Sequence, residues 1–298
     1  MPRNAAPMNS TDSTAAEHPR RAGKPKLGQH FLTDRGAAER IVSALGDVSR
    51  HTVIEIGPGE GVLTSLLANR ARRVIAIELD RVLAAQLRMK FAQRENVEII
   101  EGDFLAIDFS TLLGPKPGLT RPGLVHEPER ADLVGNLPYY ITSDILLRLF
   151  SLHRWLQTIV IMVQREVADR LAASPGSRDY GLLTATARLY ASVETLFSLP
   201  PAAFVPPPKV HSSVLRLVIA PQLERLGVCD AEFQDFLRLS FGQKRKTLWN
   251  NLKSRYDTPG LTKAMRRAGV QPSVRAEALS LEKMAALYRA LAPTTGGA

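Results

Sequence analysis

The sequence predicts an α/β fold, a mainly parallel sheet followed by a small all-helical C-terminal domain, and three observations carry that prediction. Short β-branched runs alternate with amphipathic segments from Val53 to Val163. A glycine-rich turn, Gly57-Pro58-Gly59-Glu60-Gly61, closes the first of these runs. After Pro221 the strand signals stop and apolar residues take up helical spacing.

Residues 1–23 are rich in Ala, Ser, Thr, Asn and Pro without helical or strand period, so a disordered extension is expected. Asp12 and Glu17 count against a cleaved transit peptide. The regular pattern begins at Lys24. VIEIG from Val53 reads as a strand, a helix follows from about Val62, and VIAIEL from Val74 is the next strand. Glu78 to Phe91, ELDRVLAAQLRMKF, is amphipathic and leads to VEII from Val97. Gly and Pro crowd residues 114–128, an expected surface insertion. ADLVGN from Ala131 and TIVIMV from Thr158 continue the strands, and two more are expected around Ala191–Leu199 and Ser213–Ile219, flanking Pro206, Pro207 and Pro208. Beyond Pro221, Phe233, Phe236, Leu237 and Phe241 recur at helical spacing. Trp249 and Leu252 follow, and Ser280 is placed to cap a last helix from Leu281 to about Leu291. The expected organisation is an extension over 1–23, a sheet domain over 24–221 and a helical domain over 222–298.

The 298 residues carry 39 Lys and Arg against 29 Asp and Glu, a formal charge of +10. That balance favours a polyanionic partner through counterion release, nucleic acid first among them. From Asp230 onward 12 basic residues face 6 acidic ones, so the helical domain carries much of the excess. The single cysteine, Cys229, excludes a disulfide framework, a cysteine-rich zinc site and a zinc deaminase, and it fits a reducing cytosol. No apolar run approaches the roughly 20 residues that span a bilayer, and the N-terminus lacks the apolar core of a secretory signal. A cytoplasmic protein without a membrane partner or a metal is expected.

Glycines at the end of the first strand let a ligand approach the backbone at the carboxyl edge of a parallel sheet. A dinucleotide fingerprint would need Gly or Ala where Val62 stands, and no Gly-Lys-Ser/Thr follows for a P-loop. Neither pyrophosphate nor triphosphate is therefore indicated. Glu78, 21 residues after Gly57 at the end of the second strand, can accept both hydroxyls of a ribose. Asp103, following Gly102 after the third strand, can accept from an adenine amino group. Ribose and adenine without pyrophosphate indicate an adenosine-type cofactor, and these residues resemble the nucleoside pocket of Rossmann-like, class I S-adenosylmethionine methyltransferases.

Asn136, Leu137, Pro138, Tyr139 and Tyr140 follow the fourth strand. An exocyclic amine has its lone pair delocalised into the ring. Acceptors from the Asn136 side chain and the Leu137 carbonyl would hold its protons and favour a tetrahedral, nucleophilic nitrogen, with no general base acting first. Pro138 fixes the backbone and Tyr139 offers a stacking face. Alone, this turn indicates methylation of a base amine or of a protein amide.

Gly28-Gln29-His30-Phe31-Leu32 precedes the first strand and Phe204-Val205-Pro206-Pro207-Pro208-Lys209-Val210 the last. With GPGEG and NLPYY, these segments resemble the bacterial small-subunit ribosomal RNA adenine N6-dimethyltransferases, from about Lys24 to Leu291. The resemblance implies dimethylation of two adjacent adenosines in the 3′-terminal hairpin of 16S rRNA, with S-adenosyl-L-methionine as donor and S-adenosyl-L-homocysteine as product. The implied partner is small-subunit RNA or an immature small subunit, bound by a monomer with a role in subunit biogenesis. By the same resemblance His30, Leu32, Gly57, Gly59, Glu78, Asp103 and Asn136 line the cofactor site, and Tyr139 and Phe204 sandwich the target base. Lys209 and the stretch Lys244-Arg245-Lys246-Thr247-Leu248-Trp249 are the implied RNA contacts. Many members carry Asn where this chain has His30, and the segment from Asp103 to Asn136 is longer than is usual in the family. Two rivals are a macrolide-resistance type of large-subunit adenine dimethyltransferase and a non-catalytic RNA-binding assembly factor. The basic stretch and long C-terminal region argue against the first, the intact cofactor set and NLPY against the second.

Overall fold

The computed structural model describes residues 29–114 and 129–291. The expected N-terminal extension, Gly28, nearly all of the 114–128 insertion and the residues after Leu291 lie outside the described residues.

The described chain opens with β1 (Phe31–Leu32) and α1 (Arg35–Ser43). The first half of the sheet follows as β2 (Thr52–Ile56), α2 (Val62–Leu67), β3 (Arg73–Glu78), α3 (Arg81–Lys90) and β4 (Val97–Glu101). After α4 (Phe109–Leu113) come β5 (Ala131–Asn136), α5 (Thr142–Ser151), β6 (Leu156–Gln164), α6 (Arg165–Ala172), α7 (Leu182–Tyr190) and β7 (Ala191–Leu199), then β8 (Phe204–Val205) and β9 (Ser212–Ile219). The C-terminal helices are α8 (Leu223–Leu226), α9 (Asp230–Ser240), α10 (Leu248–Leu252), α11 (Thr258–Ala268) and α12 (Leu281–Leu291). Ser280 caps the last helix as expected, accepting from the Lys283 N–H at 3.3 Å, and Asp80 caps α3, accepting from the Val82 N–H at 2.8 Å.

The seven-stranded sheet has the order β4-β3-β2-β5-β6-β9-β7. Its strands from β2 to β6 are parallel, as the strand–helix alternation requires. β9 runs antiparallel between β6 and β7. The alternation does not specify that reversal. It follows from the connection, because the stretch from Pro200 to His211 contains no α-helix to carry the chain back across the sheet. The chain winds outward from β2 to β4 and then returns to β5 on the other side of β2, which opens a crevice at the carboxyl ends of β2 and β5.

Period-2 alternation divides the strand residues between two apolar layers. Val53, Val134 and Val160 face a cluster with Ile41, Leu63 and Leu67 of α1 and α2. Ile54, Leu133 and Ile159 face the other, which continues through Leu149 and Tyr190 to Phe233, Leu261 and Met284. The C-terminal helices therefore share one apolar cluster with one face of the sheet.

Candidate active site

Because β2 to β5 are parallel, their carboxyl ends emerge on one edge, and a cavity opens there between the glycine turn and the NLPYY segment. Every residue predicted to hold the cofactor lines it: His30, Leu32, Gly57, Gly59, Glu78, Asp103 and Asn136. Leu137, Pro138 and Tyr139 line it too. Phe204 does not.

The turn after β2 has the left-handed backbone that favours glycine, with φ of 57° at Gly59. A Cβ there would stand 2.8 Å from Phe31 Cδ1, so the absent side chain is what lets the turn close against β1. The Gly59 N–H donates to Glu78 Oε2 at 3.1 Å and the Asp80 N–H to Oε1 at 2.9 Å. One lone pair on each oxygen is then left to accept from a vicinal diol. Glu78 is 3% exposed, and burial raises its pKa against the lowering effect of those backbone donors. Asp103 caps a short 3-10 turn through Oδ1, which accepts from the Leu105 N–H at 2.9 Å.

Glu55, one residue before the end of β2, also lines the cavity, and sequence reasoning missed it. It is buried, accepts from the Thr64 hydroxyl at 2.6 Å, and is pushed up to about 7 by burial and by the neighbouring Glu78 charge. The available signal was an acid inside an apolar strand, where a carboxyl is costly unless it has a task. Leu79 and Tyr140, 49% and 60% exposed, are large apolar groups presented to the same cavity. Their exposure depends on tertiary placement.

The Asn136 side chain donates through Nδ2 to the backbone carbonyl of His30 at 2.7 Å. A carbonyl only accepts, so this bond fixes the amide orientation and leaves Oδ1 as the acceptor. The Leu137 N–H is held by the Met162 carbonyl at 3.1 Å, and the Pro138 carbonyl accepts from the Thr142 hydroxyl at 2.8 Å. Tyr139 meets the Ser212 hydroxyl at 2.8 Å, and burial raises its phenol above the usual range. Its ring lies 5.4 Å from that of His30 at a 33° tilt. His30 in turn donates from Nδ1 to the Pro206 carbonyl at 2.7 Å. One histidine thus ties the NLPYY turn to the proline segment.

Phe204, expected to face Tyr139 across a base, lies outside this cavity. β1 and β8 pair antiparallel with Leu32 opposite Phe204 and Phe31 opposite Val205. Alternation sends Phe204 inward to 1% exposure and leaves Val205 56% exposed. Lys209 is exposed beyond the prolines. Lys244, Arg245 and Lys246 are exposed as well, but in the turn between α9 and α10 rather than on a helix. Thr247 caps α10 immediately afterwards, accepting from the Asn250 N–H at 3.3 Å. Among the described residues no helix is long and apolar enough to cross a membrane and no cluster of His, Cys, Asp and Glu could hold a metal ion.

Comparison with known proteins agrees with this geometry. The family model described as ribosomal RNA adenine dimethylase matches residues 20–293. Ribosomal RNA small subunit methyltransferase A of Koribacter versatilis is 55% identical over 291 residues, covering 98% of this chain and 99% of that protein. Its namesake from Acidobacterium capsulatum is 55% identical over 269 residues, 90% of this chain and 91% of that one. Among solved structures, a dimethyladenosine transferase from Plasmodium falciparum shares the fold with a TM-score of 0.67 at 24% identity, over 87% of this chain and 96% of that one. The 23S rRNA methyltransferase ErmE is 28% identical with a TM-score of 0.59, over 88% and 99% respectively. A glycine cradle at a strand end, carboxylates at the next two and an NLPY turn at the following one are carried by a chain that belongs to the ribosomal RNA adenine dimethylase family.

Proposed function

We propose that this chain dimethylates N6 of two adjacent adenosines in the 3′-terminal hairpin of small-subunit rRNA. The reaction consumes S-adenosyl-L-methionine and serves small-subunit biogenesis. The observation that carries the reading is the Asn136 amide, whose hydrogen bond from Nδ2 to the His30 carbonyl orients the group and leaves Oδ1 to accept from the target amine. An amine can donate to that oxygen, whereas a carbon nucleophile has no N–H or O–H to offer it. The choice of the small subunit rests on the relatives named for that subunit at 55% identity.

The residues fit the donor. Glu78 has acceptors for a ribose diol, Asp103 keeps Oδ2 clear of its cap bond for an adenine amino group, and Leu79 adds an apolar face. Glu55 and Glu78 give the cavity negative potential, which suits a sulfonium and ammonium cation. When bound, S-adenosyl-L-methionine supplies an electrophilic methyl group. Asn136 Oδ1 and the Leu137 carbonyl accept the protons of the target amine, localising its lone pair for attack. Tyr139 stacks on the base, with Phe204 on its far face once that ring leaves its β1 contact. Lys209, Lys244, Arg245 and Lys246 neutralise phosphates, the last three bringing the C-terminal helices onto the RNA.

The test is to incubate the protein with labelled S-adenosyl-L-methionine and undermethylated small or large subunits, then map modified nucleosides by mass spectrometry. Dimethyladenosine in small-subunit RNA is expected. Label confined to large-subunit RNA would overturn the substrate assignment.

A further inference from the structure

The turn after β5 sends three consecutive side chains to three destinations. Tyr139–Ile141 is a 3-10 turn, in which three residues complete a revolution and neighbouring side chains leave about 120° apart. The Pro138 carbonyl holds it in shape, accepting from the Ile141 N–H at 3.3 Å and the Thr142 hydroxyl at 2.8 Å. Tyr139 is committed to His30 and Ser212, and Ile141 packs against the apolar cluster that contains Leu149. Tyr140 is left facing outward, and it is the only exposed Phe, Tyr or Trp among the described residues. Aromatic rings carry a large apolar area that folding normally hides. This one stands at the rim of the methyl-transfer cavity, which it lines.

We infer that Tyr140 stacks on the base of the nucleotide next to the target adenosine, and so sets which nucleotide of the strand enters the slot beside Tyr139. The inference rests on the reading of the chain as an enzyme acting on adenosines of ribosomal RNA. Turning a target base out of its stack uncovers one face of its neighbour. An aromatic ring beside the slot replaces the lost partner, and it does so for any base, because every base has a π-face. Tyr139 and Tyr140 are consecutive residues whose rings leave the turn in different directions, which suits two consecutive nucleotides of one strand. The donor is a poorer occupant for this ring. In the proposed reading Glu78 and Asp103 take the donor's nucleoside at the ends of β3 and β4, and β2 lies between β3 and the strand that leads to Tyr140. That separation is roughly 10 Å between strands. The exposed apolar residue on the donor side is Leu79, directly after Glu78.

The experiment compares the full chain with Tyr140→Phe and Tyr140→Ala. Affinity for undermethylated small subunits, donor affinity by calorimetry and melting temperature are measured for each. The subunit affinities are then repeated with subunits reassembled from RNA that carries an abasic residue on the 5′ or the 3′ side of one target adenosine. Tyr140→Ala is expected to weaken subunit binding about 5- to 150-fold, with donor affinity and melting temperature unchanged because the ring is exposed. Tyr140→Phe keeps the stacking face and is expected to bind as the unsubstituted chain does. One of the two abasic substrates is expected to weaken binding of the unsubstituted chain and to erase its advantage over Tyr140→Ala, since both changes remove the same contact. Unchanged subunit affinity in Tyr140→Ala, an equal loss in Tyr140→Phe, a loss of donor affinity or melting temperature in its place, or a Tyr140→Ala effect that persists on both abasic substrates each overturns the inference. Absence of methyl incorporation into small-subunit RNA by the unsubstituted protein is a separate result: it overturns the proposed function and leaves the affinity comparisons to decide Tyr140.

Discussion

Replacing Glu55 by Gln keeps the acceptor for the Thr64 hydroxyl and removes the titration of a buried carboxyl. Glu55 is fully buried, and burial pushes its carboxyl up to about 7 from an ordinary value of 4.5. A group raised in this way contributes stability that is complete below its unfolded pKa and is lost as pH rises through the folded one. The window therefore runs from about 4.5 to about 7, and ionisation above it disfavours the folded state by about 3 kcal/mol. In urea unfolding from pH 4.5 to 8.5, the unsubstituted protein should fall relative to Glu55→Gln by about that amount, most of the change lying above pH 5. Donor binding has the opposite sign. A cation beside Glu55 favours its carboxylate, so affinity for S-adenosyl-L-methionine should weaken as pH drops below about 7, and calorimetry should show that dependence flattened in Glu55→Gln. Parallel stability curves for the two proteins across this range would refute the reasoning.

Other perturbations reach the remaining parts of the site. Asn136→Ala should lower methyl transfer by about 10²–10³ while leaving RNA binding within a fewfold; Asn136→Asp should be no better, because a carboxylate cannot donate to the His30 carbonyl. Gly59→Ala puts a Cβ at φ 57° and against Phe31, so a loss of about 1–3 kcal/mol in thermal unfolding and weaker donor binding are expected. Phe204→Ala should cost about 3–5 kcal/mol as a buried ring, whereas Phe204→Leu should keep most of that stability. Its methyl-transfer rate, expected to fall about tenfold or more if stacking on the base is lost, then reads the aromatic contribution separately. Arg245→Ala should reduce the slope of log affinity against log salt by about 1, measured by filter binding with small-subunit RNA.

Much of the fold and site was legible in the residues because local physics sets them. β-branched runs, amphipathic spacing and a glycine turn specify strands, helices and their order, and parallel pairing then brings Gly57, Glu78, Asp103 and Asn136 to one edge. Those four could thus be assembled from strand ends alone, whereas His30 and Leu32, which precede the sheet strands, came only from the family resemblance. Three features needed the tertiary structure. Phe204 turns inward because its partner across β1 and β8 is Leu32, and strand register is a long-range property that no local pattern encodes. The raised Glu55 carboxyl depends on how completely its neighbours exclude water and on the distance to Glu78, which lies 23 residues away in sequence. The orientation of Asn136 was set by a backbone carbonyl 106 residues earlier in the chain. The sequence by itself determined which groups could perform the chemistry; packing decided which way each faces and which are shielded from solvent, because those follow from contacts between segments distant along the chain.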